Sequence, residues 1–226
     1  MKNTDMENDF LYKTMIKRHS IRAFMPQNVD EVIIRKILEA SLRAPSAKNT
    51  QPWRIVHVRK GTMEKITTRY MEAFQSGVQP HHDMEISPYE GSFRKNAVEL
   101  GKMFYGLLGI GREDKEKKME VVYQNYRFWN APAAFFLYSL KGIRENEIFD
   151  LGIFSGVLLA MMESYGLGSI FQASLVDYPD ILREILGLEE GVRMITGISF
   201  GYPDLDAKIN TLIPPRYSLA EVYIKL

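Results

Sequence analysis

Three short stretches of the chain carry residue types suited to holding an anionic, heteroaromatic molecule. In Arg18-His19-Ser20-Ile21-Arg22, an extended backbone would place residues 18, 20 and 22 on one side. Two guanidiniums beside a hydroxyl are what a phosphate and its polar neighbours require. The plainer alternative is a basic surface turn. Between Ala44 and Trp53, Pro45 and Pro52 frame small polar residues, among them Ser46, and two carboxamides, Asn49 and Gln51. A carboxamide offers donor and acceptor together, which suits the edge of a heteroaromatic ring; as a bare loop the stretch carries no chemistry. In Gly166-Leu167-Gly168-Ser169-Ile170-Phe171-Gln172-Ala173-Ser174 the glycines let backbone amides approach a ligand closely. The alternative there is a helix cap followed by a core strand.

Other patterns look like chemistry and fail on context. Gly197-Ile198-Ser199-Phe200-Gly201 has the spacing of a serine nucleophile elbow, which needs a helix directly after it and a histidine later in the chain. Tyr202-Pro203 follows instead, and the last histidine is His82, so these are small residues in a close-packed strand. Adjacent histidines in His81-His82-Asp83 point to opposite sides of an extended loop, with no third ligand at helical spacing. A solvated loop is expected, and no metal site. The glycines of residues 106–111 are in the wrong order for a dinucleotide fingerprint and follow no strand. Residues 112–118 mix charge signs and read as a solvated helix start.

These stretches need elements to position them. Met6, Phe10, Thr14 and Met15 keep helical spacing up to the basic cluster. Asp30 can cap a helix with Ile33, Ile34, Ile37, Leu38 and Leu42 on one stripe. Residues 53–58 read as a strand, and Met63, Ile66, Tyr70 and Phe74 as a helix. Residues 77–91, with Pro80 and Pro88, read as a loop. Residues 93–111 and 115–129 look helical, and 133–140 reads as a buried strand. Residues 149–165 are nearly apolar all round and read as a central helix stopped by Gly166. Pro179 suits the first turn of a helix over 180–186, residues 192–202 read as a last strand, and the tail from Pro203 as irregular. Few strands separated by helix pairs predict a mixed α+β layer fold. No repeat or linker divides residues 1–226, so one domain is expected.

Composition narrows the class. A chain of 26.1 kDa should expose about 10,500 Å² when folded. Its 29 basic and 28 acidic side chains leave no bulk field for nucleic acid or an anionic membrane. Cysteine is absent, which removes disulfides, thiolate metal sites and cysteine nucleophiles. The longest charge-free stretches run 12 or 13 residues, against the roughly 20 of a membrane span. The N-terminus lacks the apolar stretch of a signal peptide. A cytoplasmic protein is expected.

Taken in order, the Arg-x-Ser-x-Arg start, the Pro-Ser-x-x-Asn-x-Gln-Pro-Trp loop, the Gly-Leu-Gly segment and the Gly-Tyr-Pro-Asp with a late arginine resemble the FMN-dependent nitroreductase family. The resemblance runs from about residue 10 to the end; residues 77–118 match nothing in it, and that region shapes substrate choice in the family. It implies a three-layer nitroreductase-like fold, with a mixed, mostly antiparallel central sheet flanked by helices. It also implies a homodimer with FMN at the subunit interface. Arg18 and Arg216 would hold the phosphate with His19 nearby and Lys208 as a second basic tail residue. Ser20 would meet the ribityl–ring region, and Arg22 would sit near N1 and the C2 carbonyl. Pro45, Ser46 and Asn49, with Gln51 alongside, would come from the neighbouring subunit's loop. Gln172, Ala173 and Ser174 would lie over the ring, with the Ala173 N–H facing N5. Arg127, with Gln124 beside it, would lie near N1.

A guanidinium at N1 would favour the reduced flavin, where negative charge gathers. The flavin carries the hard chemistry, so no side chain need act as acid or base and no catalytic residue is assigned. The implied activity is oxidation of NAD(P)H with reduction of a nitroaromatic, quinone or other electron-poor small molecule. A reductive dehalogenase or flavin-consuming relative, and a flavin-binding regulatory protein without turnover, are the alternatives.

Overall fold

The computed structural model describes residues 9–85 and 87–226; Met6, expected in the first helix, lies outside them. The molecule is organised around strand β2 (Ala133–Ser139), whose side chains alternate between two cores. Phe135 and Leu137 face one side, Ala134 and Phe136 the other, and all four are at most 1% exposed. β1 (Arg54–Arg59) and β4 (Arg193–Gly201) flank it, and β3 (Gly168–Gln172) pairs with β4, giving the order β1-β2-β4-β3. All three pairings are antiparallel. An isolated parallel bridge from Ser20 to Ser169 extends the β3 edge, so the sheet is mixed and mostly antiparallel.

On one face lie α2 (Glu31–Ser41) and α6 (Glu145–Ser164), with Trp53 stacked on Phe154 at 4.9 Å. α1 (Phe10–Lys17) packs on α6. The other face carries α3 (Lys60–Gln75), α5 (Lys115–Tyr126) and α7 (Pro179–Leu186). There Tyr70 meets Tyr126 and Tyr178 edge to face at 5.4 and 5.1 Å. The three-layer α+β architecture is thus present. α4 (Gly91–Leu107) rests against a short 3-10 turn in the tail, Lys208–Thr211, and α8 (Leu219–Val222) follows.

Local chemistry explains most boundaries. The Asp30 carboxylate accepts from the Val32 N–H at 2.7 Å and starts α2. Pro179 opens α7, whose end passes through Gly187 at φ 63°. α6 begins at Glu145 rather than 149, because Glu147 accepts from the Arg144 N–H at 2.7 Å in a capping box. The helix expected over 115–129 stops at Tyr126, since Phe128, Trp129 and Asn130 take left-handed φ values of 57, 53 and 55°. The one expected over 93–111 ends at Leu107. The tail, expected to be irregular, contains the 3-10 turn and α8.

Residues 81–83 are not a solvated loop. His81 Nε2 lies 3.0 Å from Asp180, and His82 Nε2 lies 3.3 Å from Asp177. The Asp83 carboxylate accepts from Arg183 at 2.6 Å and from the Met194 N–H at 2.8 Å. The glycines of the 197–201 pattern sit in close-packed β4: an added Cβ would stand 2.5 Å from Leu175 at Gly197 and 2.6 Å from Pro132 at Gly201. Among the described residues, no group of three or more His, Asp or Glu could hold a metal, and no helix is long and apolar enough to cross a membrane.

Candidate functional site

The Arg18–Arg22 segment leaves α1 at Arg18 and runs extended along the edge of β3. Ile21 anchors it. That side chain is 4% exposed and lies where a Cβ on Gly168 would come within 2.6 Å, so glycine permits the close approach. The Ile21 N–H donates to the Ser169 carbonyl at 3.0 Å. By strand alternation, Ser20 and Arg22 point opposite to Ile21.

The far side of the segment is clamped by Asn210, in the tail turn. Its Oδ1 accepts from the Arg22 and Ala23 N–H groups at 2.7 and 3.2 Å, and its Nδ2 donates to the Ala23 and Asp204 carbonyls at 2.8 Å each. The two nitrogens of His19 face the Lys17 and Asn210 carbonyls at 2.9 and 2.8 Å; a neutral ring can donate to one of them only. The Tyr202-Pro203-Asp204 stretch closes the same strand, with Met25 N–H donating to the Tyr202 carbonyl and Asp204 N–H to that of Ala23.

Arg22 is the unusual member. It is half-buried, its guanidinium lies 5.2 Å over the Phe104 ring of α4, and among the described residues no carboxylate pairs with it. Burial pulls its pKa below the usual arginine value. Among the described residues the guanidinium's one hydrogen bond is a long one to the Ser20 carbonyl, at 3.5 Å, and a partly desolvated cation so weakly partnered is matched by an anion or a further carbonyl.

The turn after β3 forms the next wall. Ala173 is exposed and Ser174 half-exposed, while the Gln172 side chain is 3% exposed and turned into the protein. Its amide nitrogen faces Asn125 Oδ1 at 3.3 Å, and its oxygen accepts from the Ser199 hydroxyl at 2.5 Å. The expectation that Gln172 lies over a ring therefore holds at most for its backbone. Arg127, expected near N1, pairs with Glu120 at 2.6 Å and lies over Tyr123. Gln124 donates to the same Glu120. Arg216 is exposed and its guanidinium donates to the Pro214 and Pro215 carbonyls, 2.9 and 3.1 Å away. Lys208 shares the tail turn with Asn210.

The Pro-framed loop stands apart from this cluster. Pro45, Asn49 and Gln51 are exposed, and Ser46 is half-buried. Ser46 Oγ accepts from the Gln51 N–H at 3.0 Å, and the Ala47 N–H donates to the buried Asp150 of α6 at 3.0 Å. Lys48, Asn49 and Gln51 hold left-handed φ values of 51, 59 and 47°. Such backbone costs about 1–3 kcal/mol per residue and persists where surroundings over-determine it. Sequence reasoning missed Asn210, Phe104 and Asn125. A single amide in an irregular tail, and aromatic or polar residues on amphipathic helices, carry no local mark of their role.

Residues 15–202 match the nitroreductase family. The chain is 31% identical over 205 residues to nitroreductase NfnB of Mycolicibacterium smegmatis, covering 90% of this chain and 87% of that one. It is 28% identical over 206 residues to a 4-nitrobenzoate reductase of Pseudomonas putida, covering 88% of each. The crystal structure of the FMN-dependent nitroreductase NfnB from Mycobacterium smegmatis in complex with NADPH superposes with a TM-score of 0.91, at 29% identity, over 96% of this chain and 98% of that one. The edge strand bearing Arg18 and Arg22, the β3 turn and the mostly antiparallel sheet are thus set in a known frame: the chain belongs to the nitroreductase family.

Proposed function

We propose that this protein binds FMN and uses it to pass electrons from NAD(P)H to nitroaromatic or similarly electron-poor small molecules. One observation carries the reading: Arg22, half-buried and among the described residues without a carboxylate partner, on the segment bridged to the strand that ends at the exposed Ala173 turn. Flavin supplies hydride acceptance and return, so the protein's part is binding, orientation and electrostatics. Arg22 suits the N1–C2 carbonyl edge, where negative charge gathers on reduction. Arg18 with Arg216 suits the phosphate, and His19, Ser20 and Ser174 line the way between. The Ala173 N–H suits N5.

The same reading makes the protein a homodimer in which Pro45, Ser46, Asn49 and Gln51 reach the neighbouring subunit's flavin. The isolated chain exposes 14,572 Å², against about 10,500 Å² for a compact protein of this mass. Much of the excess is apolar: Phe10, Ile16 and Phe149 on α1 and α6, and Leu219 and Val222 on α8, are all more than 60% exposed. A second copy is the natural cover.

Mass spectrometry of the ligand released from purified protein tests the cofactor, and FMN is expected; FAD or a colourless protein overturns the assignment. Bleaching of the bound flavin by NAD(P)H, and its return on adding a nitroaromatic, tests turnover. Flavin that stays oxidised under NAD(P)H marks a binding protein instead.

A further inference from the structure

A chain of buried polar groups runs behind the β3 turn and converges on one acceptor, Asn125 Oδ1. The Trp129 indole N–H can only donate, and its acceptor at 3.0 Å is Asn125 Oδ1. That oxygen also receives the Gln172 amide nitrogen, at 3.3 Å. Gln172 then has only its oxygen left for Ser199, whose hydroxyl donates to it at 2.5 Å. The relay joins α5, β3 and β4, and all of Gln172, Ser199 and Trp129 are at most 7% exposed. Trp129 enters it from the middle of the left-handed run 128–130, which three successive non-glycine residues would not adopt without fixed partners.

Gln172 is the last residue of β3, and the next residue is Ala173. The turn it begins is tied down beyond that point by Leu175, which sits under Gly197 and whose carbonyl accepts from Tyr70 at 2.8 Å. We propose that Asn125 and Gln172 are positioning residues: the relay in which Trp129 and Gln172 both donate to Asn125 Oδ1, and Ser199 donates to Gln172, sets where the Ala173 N–H points, and through it the rate at which bound flavin accepts hydride. The relay itself stands on the hydrogen bonds above; its effect on hydride acceptance rests on the FMN reading.

Asn125→Leu removes the shared acceptor Oδ1, and Trp129→Phe removes one of the two donors to it. Single-turnover reduction by saturating NAD(P)H is expected to slow about 10-fold or more in Asn125→Leu and about 3- to 10-fold in Trp129→Phe. FMN affinity should move little in both. Parent-like reduction rates in Asn125→Leu and Trp129→Phe overturn the proposal. Backbone hydrogen exchange over residues 168–177, with β1 as control, reads the relay without flavin: faster exchange confined to that segment in Trp129→Phe supports it, and unchanged exchange overturns it. A parent protein that takes up no FMN defeats the functional reading alone, and exchange still decides the relay.

Discussion

The two polar stretches framed by α1 and α2 are held in opposite ways. Residues 18–22 are fastened on both sides within one subunit, by Ser169 of β3 and by Asn210 of the tail. Residues 45–52 project from α2 with left-handed backbone, exposed carboxamides and one anchor to α6, through Asp150. The first is a finished half-site. The second has a shape but no object within its own subunit, which is what a loop serving a neighbouring copy looks like. Under the homodimer proposed above, the cationic half of the site is built by folding and the carboxamide half by assembly.

Breaking the clamp is the largest test. Asn210→Ala strands the Arg22 and Ala23 N–H groups, each a loss of about 1–3 kcal/mol, so unfolding free energy should fall by about 2–5 kcal/mol in urea titrations. A loss below about 1 kcal/mol would mean the half-site is not prebuilt. Arg18→Ala and Arg216→Ala leave the fold intact and should each weaken FMN binding about 10- to 100-fold, read by flavin fluorescence on dilution. Unchanged affinity in both would place the phosphate elsewhere.

Arg22→Ala removes the cation facing the reduced ring and should lower the flavin midpoint potential by about 30–60 mV, measured by redox titration. A potential that rises contradicts the placement. On the loop side, Asp150→Leu deletes the acceptor for Ala47 and should cost about 1–2 kcal/mol of stability. Asn49→Ala is the smallest and sharpest case. Its stability effect should lie within about 0.5 kcal/mol, while FMN retention drops only where the protein is dimeric, followed by light scattering and flavin fluorescence across a dilution series. A monomer that binds FMN at full occupancy erases the contrast between the two halves.

The elements that were legible in the sequence are those whose signal is periodic. The stripe Ile34–Ile37 of α2, the bulky run of β1 and the apolar β2 and β4 could be read directly, because burial on one or two faces imposes a pattern on neighbouring residues. The ends were less legible. Nothing local announces that Phe128, Trp129 and Asn130 reverse hand, since bulky residues normally avoid that region and only their partners make it tolerable. For the site, Arg18 and Arg22 could be found because alternation on an extended segment is a local property. Asn210 could not: three of its four hydrogen bonds reach residues more than 180 positions away and the fourth ties them to Asp204 of the tail, and that closure is a property of the fold.

The fastening of Asp83 to Arg183 and to the Met194 N–H sets a leash on α4. From Asp83 to Gly91 there are eight peptide links, and from Leu107 to Lys115 eight more. At about 3.3–3.6 Å per residue, each leash reaches at most about 26–29 Å. Wherever the helix that carries Phe104 over Arg22 sits, it stays within one short radius of these anchors. For α4 to travel farther on that side, the Arg183, Arg193 and Met194 N–H contacts that hold Asp83 must open first, so that a cluster far along the chain acts as the catch on a helix that covers Arg22.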